Sequence, residues 1–464
     1  MATTDLTRTP SSGGNRKIWT FSAWLKRASK SDSNNSRIFS AGSANSDYTS
    51  WFMFDVNGTD AALQLQNVIS GSTTNLKTNR KFRDVNGWYH LVIACDTTQA
   101  TASNRIKIYV NGVQETEFDT EQYPAQDANT HVNHTVEHNI GSSDGPGYTP
   151  RYWAGSMSHV ALVDGQQLTP TSFGETDSTS GIWKFKSPTG ITWGTNGFHL
   201  KFENSGNMGL DSSGQTNNYS VSGGTMTQSL DTPSNVYATL NPLLVPTSNG
   251  PTFSNGNTTS ITSTTSGSYK WGGCTTLGMT TGKWYCEAKA TVDSSYSRNV
   301  IGISGDSSNL ARTNGSILNT THSWGYYSSD GSVAGNGSGN ISGFSTSYTT
   351  GDIIGVALDL DNNKLYFSKN GTFLNSGDPT SGNTGTGAVS IIAADTTNDG
   401  AYFFAQTDDT GTSSPSKFEF NFGNGFFGTT AITSAGSNGN GSLFEYDVPN
   451  GYYALNTKNI NTYG

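Results

Sequence analysis

Apolar and polar residues alternate one by one along several stretches of the chain, and a period of two residues predicts β-strands. The clearest stretch is residues 351–371, where Ile354, Val356, Leu358 and Leu360 fall on one face of a strand. No stretch of the sequence carries the 3.6-residue apolar period of a long helix. The pattern therefore predicts an all-β protein.

Two turns are predicted within the same stretch. Asn-Asn at 362–363 and Asn-Gly at 370–371 are residue pairs that can adopt the positive φ angles of primed hairpin turns. A two-residue turn at 362–363 would set Leu360 opposite Leu365, and Leu358 opposite Phe367. Both strands of this hairpin would then bury the same face.

Strands of the same kind are predicted in the first half at residues 18–26, 51–56, 62–65, 87–96, 105–113 and 152–163. Their succession resembles the laminin-G-like, concanavalin A-like jelly roll, on the motifs at 21–27, 87–96, 106–113 and 153–175. The resemblance implies a β-sandwich over roughly residues 15–175, with a short or absent opening strand. Residues 197–214 resemble the start of such a domain, and either complete its sheet or form a small separate module.

The second half resembles the SPRY domain. Five motifs carry the resemblance in the order typical of that family: residues 282–287, 300–304, 324–326, 351–371 and 420–427. A SPRY domain implies a compact β-sandwich that binds partners through its loops and has no catalysis of its own. Residues 205–260 between the two halves are rich in turn-forming residues, with prolines at 233, 242, 246 and 251.

A wider resemblance, to virion proteins of marine bacteriophages, spans nearly the whole chain. It is carried by residues 6–24, by residues 231–243 and by the ending at 448–459. It implies a structural protein on the particle surface: a head fibre, a capsid decoration or a tail-fibre component. The expected location is the virion, with synthesis in the host cytoplasm.

The predicted fold is two jelly-roll β-sandwich domains joined by a turn-rich connector. The first domain is placed at residues 1–180, and a connector at 181–260 contains strands that could complete it. A SPRY-like sandwich is placed at 261–430, and a C-terminal tail at 431–464 is expected to pack on it.

The amino-acid composition and the net charge exclude several classes of function. Charged residues make up 13% of the chain and aromatic residues 11%, which suits an all-β protein with long polar loops better than a disordered chain. The net charge of −9 and the absence of a Lys/Arg cluster argue against nucleic-acid binding. No apolar run is long enough for membrane insertion, and the first ten residues lack the apolar core of a signal peptide. Cys95, Cys274 and Cys286 form neither a disulfide framework nor a metal motif, which is typical of folding in a reducing cytosol.

One segment has the spelling of a catalytic motif. Jelly-roll glucanases place their nucleophile and acid on one face of a strand as Glu-x-Asp-x-Glu, and Glu117, Asp119 and Glu121 match it. A solvated strand edge after the Asn-Gly turn at 111–112 is the favoured interpretation. The chain is therefore expected not to be an enzyme, with glycan hydrolysis as the weakest alternative.

Residue types that bind metal ions occur together at two places. His131, His134 and His138 lie close in sequence, but only the last two share a strand face and Glu137 points away from them, so a polar loop is favoured over a metal site. Calcium coordination by Asp96, Asp144 and Asp164 stays an alternative, although turn formation is the commoner role of Asp in such positions. No cofactor is expected.

Recognition is the remaining hypothesis. The Gly- and Pro-rich loop at 142–151 and the residues after it bring together Asp144, Tyr148, Tyr152 and Trp153. Aromatic rings can stack on sugar faces while Asp accepts hydroxyl hydrogen bonds, so these four residues are the predicted ligand site. The expected partners are host-surface glycans and other virion proteins, in a homo-oligomer by analogy with fibres. A capsid-cementing or spacer protein without a ligand is the main alternative.

Overall fold

The computed structural model describes residues 4–28, 36–44, 46–54, 61–143, 151–265, 269–292, 299–335, 338–341, 344, 346–409 and 415–464. The chain divides into two compact units, residues 1–228 and 229–464. Both units are built from antiparallel sheets, so the all-β prediction is confirmed. Among the described residues, no helix has the length and apolar character needed to cross a membrane.

Within its described residues, the first unit contains sixteen short to medium strands. They are β1 (Asp5–Arg8), β2 (Ile18–Arg27), β3 (Ser36–Ala44), β4 (Asp47–Phe54), β5 (Ala62–Ile69), β6 (Ser72–Lys81), β7 (Tyr89–Asp96), β8 (Ile106–Val110), β9 (Val113–Gln114), β10 (Phe118–Glu121), β11 (Glu137–Ile140), β12 (Gly155–Asp164), β13 (Gly174–Thr176), β14 (Trp183–Phe185), β15 (Phe198–Leu200) and β16 (Ser220–Ser222).

Two sheets pack face to face in this unit. One has the strand order β10-β6-β5-β4-β3-β11-β1-β16 and the other β15-β12-β2-β7-β8-β9, while β13 and β14 form a separate hairpin. Alternation turns one face of each sheet inward, where Trp51 stacks between Phe39 at 4.3 Å and Trp19 at 5.6 Å, measured between ring centroids. Buried aromatic area of this kind contributes much of the stability of a sandwich core.

Residues beyond 180 add strands to both sheets of the first unit. β15 pairs with β12 and β16 pairs with β1, so segments left open by the sequence lie at the edges of the two sheets. β1 has four residues, in keeping with the short opening strand that was expected.

The part of the second unit that the structure describes contains seventeen strands and two short α-helices. The strands are β17 (Thr252–Ser254), β18 (Thr259–Ile261), β19 (Lys270–Cys274), β20 (Lys283–Val292), β21 (Asn299–Ser304), β22 (Ser323–Tyr327), β23 (Val333–Gly335), β24 (Ser338–Ile341), β25 (Ile353–Asp359), β26 (Lys364–Lys369), β27 (Thr372–Phe373), β28 (Val389–Ser390), β29 (Phe403–Asp408), β30 (Lys417–Asn421), β31 (Phe426–Phe427), β32 (Thr430–Ala431) and β33 (Tyr453–Ala454), and the helices are α1 (Ser307–Thr313) and α2 (Thr457–Tyr463).

Its two main sheets again enclose an apolar core. One follows the path β17-β18-β30-β20-β25-β26-β27, with β28 and β33 attached to it, and the other follows β19-β29-β21-β22-β23-β24. The alternating residues of the opening pattern, Ile354, Val356 and Leu358, are fully buried in that core. The inward face that periodicity predicted is therefore the face that packs.

The register predicted for the β25–β26 hairpin is wrong. Leu358, rather than Leu360, lies opposite Leu365, and Phe367 lies opposite Val356 instead of Leu358. The shift is two residues along one strand, so the inward side chains stay inward.

The cause of the shift is a longer turn. Asp359 accepts hydrogen bonds from the Asn362 backbone N–H at 3.0 Å and from its side-chain amide at 2.9 Å. Leu360 leaves the hairpin ladder and donates its N–H to Gly282 at 3.0 Å. The Asn-Gly turn at 370–371 has φ angles of 49° and 81°, as predicted.

A buried ion pair holds one end of the second sandwich together. The ammonium group of Lys270 lies 3.3 Å from the carboxylate of Asp408, and both side chains are within 1% of full burial. Thr262, just after β18 in the opposite sheet, donates its hydroxyl to the same carboxylate at 3.0 Å. The pair therefore links the two sheets.

The C-terminal segment is fixed to the second unit by Glu287 of β20. Its carboxylate accepts the backbone N–H groups of Glu445 at 2.8 Å and Tyr446 at 2.9 Å. The hydroxyl of Tyr285 donates to it at 3.3 Å, and the amide of Asn421 at 3.4 Å. Burial raises the pKa of Glu287 to about 7, against the opposing effect of these donors.

Candidate functional site

The outward face of the eight-stranded sheet carries a row of polar side chains. Register aligns Asn139, Ser40, Ser50, Gln66 and Asn75 across β11, β3, β4, β5 and β6. Each of them has at least one strand neighbour in the apolar core, namely Ile140, Phe39, Trp51, Leu65 and Leu76, so alternation turns this row away from the core. We call this row and the one beside it the polar face.

The second row of the polar face mixes polar groups with a ring. Arg37, Phe52, Gln64 and Lys77 are aligned across β3 to β6, and Thr120 of β10 continues the row. The guanidinium carbon of Arg37 lies 3.7 Å from the centroid of the Phe52 ring, a cation–π contact. Phe52 is outside the apolar core clusters although it is almost fully buried.

Side chains of the polar face are ordered by one another. Tyr48 donates its hydroxyl to Gln66 at 2.9 Å, and Gln64 donates its amide to Asn75 at 2.8 Å. Such contacts fix which amide atoms point outward, and a pre-organised row loses less entropy when it binds a ligand.

Exposure varies across the polar face. Gln66, Asn75 and Lys77 of the polar face, and Tyr48 beside it, are half-exposed. The buried members are Asn139, Ser40, Ser50, Arg37, Phe52 and Gln64. The accessible part therefore lies toward β5 and β6. It combines amide donors and acceptors with an aromatic ring, which is the chemistry of a site for a polar, many-hydroxyl ligand.

The predicted ligand loop adjoins this face. Ser40, a member of the first row, donates its hydroxyl to the carbonyl of Ser142 at 3.0 Å, where the loop begins. Ser36 on the same strand receives the Ala154 N–H at 2.9 Å, where the loop ends. Both ends of the loop are thus attached to β3.

Two of the four predicted ligand residues can be located. Asp144 and Tyr148 lie outside the described residues. Tyr152 is half-exposed and forms a β-bridge with Ser142. Trp153 is 6% exposed, packs in the core and donates its indole N–H to Ser156 at 3.4 Å, so its ring serves packing here. The ligand role of the loop stays a prediction.

The segment at residues 117–121, which matches the glucanase motif in sequence, is interrupted by a β-bulge. Register shifts between Phe118 and Thr120, so Thr120 lies opposite Lys77 on the polar face while Glu121 lies opposite the core residue Leu76. Asp119 is bound by Lys77 at 3.1 Å. The strict alternation that would place Glu117 and Glu121 on one face is therefore lost.

Most of the histidine stretch at residues 131–138, which could bind metal by residue type, is engaged in packing and hydrogen bonds of the first unit. The backbone N–H of His131 donates to Thr49 at 2.8 Å, and His138 accepts the Asn133 N–H at 3.1 Å on Nε2. Burial lowers the pKa of His131 and of His138 to about 4. Across the part of the chain that is described, no cluster of three or more His, Cys, Asp or Glu side chains is arranged to hold a metal ion.

Two of the aspartates considered for calcium are engaged by protein donors. Asp164 accepts N–H groups from Asn15 at 2.7 Å, Asn133 at 3.0 Å and Asn196 at 3.0 Å. Asp96 accepts the Thr98 hydroxyl at 2.6 Å and the Gln99 amide at 2.6 Å. Carboxylates surrounded by donors do not suit a cation, and Asp144 lies outside the described residues.

Family comparison gives two matches. Residues 2–172 match the concanavalin A-like lectin/glucanases superfamily, and residues 283–389 match the SPRY domain. Each match covers less than half of the chain, and one falls in each unit. The concanavalin A-like domain includes the whole polar face up to β12, and the SPRY domain runs from β20 to β28. Domains of these two families point to carbohydrate or protein binding. None of the curated proteins matches the chain.

Several solved structures are similar at low identity. The SPRY domain of human HERC1 is 19% identical, with 37% of this chain and 91% of that chain covered and a TM-score of 0.28. The SAP-like pentraxin of Limulus polyphemus is 19% identical, covering 36% and 71%, with a TM-score of 0.27. Domain 4 of the arabinanase AbnA from Geobacillus stearothermophilus, solved with arabinotriose, is 16% identical, covering 34% and 65%, with a TM-score of 0.25. Similarities of this size carry no information on ligands.

Sequence reasoning missed the polar face. Its signal was present as polar residues between Leu63, Leu65 and Leu76, but the same alternation occurs on any strand with one solvated side. What distinguishes the face is the cross-strand alignment of five such positions, which only the register reveals.

Proposed function

We propose that the protein is a bacteriophage virion surface component that binds carbohydrate through the polar face of its concanavalin A-like domain. The observation that carries this proposal is the aligned row of hydroxyl and amide side chains beside Tyr48, Phe52 and Arg37. Binding alone is proposed, without catalysis, because the one glucanase-like segment is split by a bulge.

Sugar recognition follows from the chemistry of the face. A pyranose presents hydroxyl groups that donate and accept hydrogen bonds, and patches of C–H that pack on rings. Gln66 and Asn75 supply amide groups at the half-exposed end, and Tyr48 supplies a ring. Tyr152, whose carbonyl accepts the Ser36 hydroxyl at 3.4 Å, is a further half-exposed aromatic residue on the side of β3.

Single sites of this kind bind weakly, and display on a particle compensates. Many copies on one virion turn later binding events into intramolecular ones, so avidity exceeds the affinity of one site. The SPRY domain is proposed to hold the protein to other virion proteins, with a homo-oligomer as the displayed form. A capsid spacer without any ligand is the rival function.

A glycan array tests the carbohydrate proposal. The purified chain is expected to bind a subset of glycans, and the double variant Gln66→Ala/Asn75→Ala to lose about tenfold or more in affinity, since each lost hydrogen bond is worth about 0.5–1.5 kcal/mol. Gln114→Ala, an exposed amide on the other sheet, is the matched control and should bind as the parent does. A flat array, or equal loss in both variants, would remove this function.

Particle composition tests the virion part separately. Mass spectrometry of purified particles of the encoding phage should recover this chain in multiple copies, and gold-labelled antibody should place it at the head or the tail. A chain found only in the lysate and never on particles contradicts the proposed location, whatever the array shows.

A further inference from the structure

The outward face of the six-stranded sheet in the first unit is covered by a segment of the same chain. Residues 165–197 connect β12 to β15 and lie against this face, where Phe173 packs with Val92, Ala161 and Val163. The face beneath is thus apolar in part, and the covering segment shields it from water.

Trp183 of β14 makes an aromatic contact with His90 of β7. Its ring stacks on the imidazole of His90 with 5.9 Å between centroids, and its indole N–H donates to Nδ1 of His90 at 2.9 Å. Trp24 stacks on His90 at 4.7 Å. His90 is therefore enclosed between aromatic rings.

The hydrogen bond that Trp183 donates to Nδ1 of His90 fixes the tautomer of that imidazole. Since Nδ1 accepts, the ring proton is on Nε2, which lies 2.9 Å from the hydroxyl oxygen of Ser22 and donates to it. The contact with Trp183 consequently requires a neutral ring. Burial lowers the pKa of His90 to about 3, so the ring is neutral at pH 7.

Two more imidazoles support the rest of the segment. His159 stacks on Phe185 at 3.7 Å, and His199 stacks on Trp193 at 5.7 Å. Nδ1 of His159 and Nε2 of His199 are 3.4 Å apart, a contact that two protonated rings cannot keep. Burial lowers the pKa of each to about 4.

Other contacts of this part of the chain are near its C-terminal end: the N–H of Asp164 donates to Trp193 at 2.9 Å, the amide of Gln166 donates to Thr192 at 2.6 Å, and Ile191 and Trp193 pack on the cluster around Phe173. No residue from 175 to 195 is buried, and β13 and β14 form a two-stranded sheet of their own within the described topology. Segments with few buried contacts open locally at a small fraction of the global unfolding free energy. We define residues 174–195 as the flap.

We propose that the flap is an acid-released cover, fastened by neutral His90, His159 and His199 and detached when these rings take up protons. Detachment takes Ile191 and Trp193 away from the apolar cluster of Val92, Ala161 and Val163, which Phe173, outside the flap, continues to contact. The closed form is the form at neutral pH. This device is independent of the polar face, which lies on the other sheet.

Linkage sets the pH at which release occurs. In the open state the rings are solvated and regain an ordinary pKa near 6.5, so opening takes up protons at any pH below that value. Each ring raises the open population up to about tenfold per pH unit below about 6.5, and three rings raise it up to about a thousandfold. Release is therefore expected well above the closed-state pKa values.

Charged groups near the flap affect the pKa of His159 and of His199 less than burial does. Lys201 opposes and Glu203 favours protonation of His159, and Asp211 favours protonation of His199, while burial is the larger cause for both rings. Within the hairpin, Lys184 pairs with Asp177 at 3.0 Å and with Glu175 at 3.5 Å. These pairs lie within the flap and move with it.

Hydrogen exchange read by mass spectrometry tests the proposal on the full chain. Protection factors of amides in 174–186, corrected for intrinsic exchange, are expected to fall at least a hundredfold between pH 7 and pH 5.5, while those of β7 stay constant. Binding of an apolar fluorescent dye should rise over the same range. Protection in the flap that does not change with pH, or that falls in step with β7, overturns the proposal.

Variants separate the rings from general acid sensitivity. His159→Phe keeps a ring beside Phe185 without a titrating group, and should reduce the pH slope of flap opening by up to about tenfold per pH unit. His134→Ala, in the histidine stretch at residues 131–138, is the matched control and should leave the pH slope of flap opening unchanged. If His159→Phe does not fold, the pH dependence of flap opening in the parent chain tests the proposal by itself. Uptake of fewer than one proton on opening rules out release by these rings.

Discussion

Replacing Asp408 with Asn is expected to lower the free energy of unfolding of the second unit by about 3–5 kcal/mol. Lys270 is 1% exposed and would lose the carboxylate that faces its ammonium group. The Thr262 hydroxyl would lose a charged acceptor at the same time. Urea unfolding, followed by the transition assigned to residues 229–464, measures the loss.

Two comparisons make this result specific. Asp127→Asn removes a partner from the exposed pair Lys17–Asp127 and should cost no more than about 1 kcal/mol. The double change Lys270→Met/Asp408→Leu removes both charges and should recover most of the loss, because an apolar pair needs no compensation. A loss below about 1 kcal/mol for Asp408→Asn would show that Lys270 finds another partner or reaches water.

The second large effect is a pH dependence set by Glu287. Burial raises its folded-state pKa from 4.5 to about 7, so folding favours the protonated form. The contribution to stability is fully present below about pH 4.5 and is lost as the pH rises through about 7. A shift of this size corresponds to about 3 kcal/mol.

The measurement is the difference between the parent and Glu287→Gln. Gln does not titrate, so the free energy of unfolding of the parent minus that of the variant should fall by about 3 kcal/mol between pH 4.5 and pH 8. Gln also places an N–H group against the donors of residues 445 and 446, which lowers stability at every pH without changing the slope. A difference that rises with pH would mean that the donors hold Glu287 ionised.

Much of the fold could be predicted because its signals are local. Alternation at Ile354, Val356 and Leu358 and the Asn-Gly pairs at 111–112 and 370–371 depend on neighbouring residues, and the structure has strands and hairpins at these places. The turn at 360–363 was mispredicted because a tertiary hydrogen bond, from Leu360 to Gly282, decides its length.

The candidate site was harder because its parts are far apart in sequence. Asn139 and Ser40 are neighbours in space only through the pairing of β11 with β3, and no local pattern fixes that pairing. The loop at 142–151 could be found from composition, and its attachment to Ser40 could not. The bulge that splits residues 117–121 likewise follows from pairing with β6 rather than from its own residues.

Each unit has its two chain ends side by side. In the first unit β1 lies between β11 and β16, with Leu6 opposite Val221, and in the second the N–H of Ala238 donates to Leu455 at 2.9 Å. Such pairings join residues more than 200 positions apart, so neither unit can complete its sheets on the ribosome before its last segment has emerged. The same proximity makes each unit a candidate for circular permutation, with its ends joined by a short linker and new termini opened in an exposed turn.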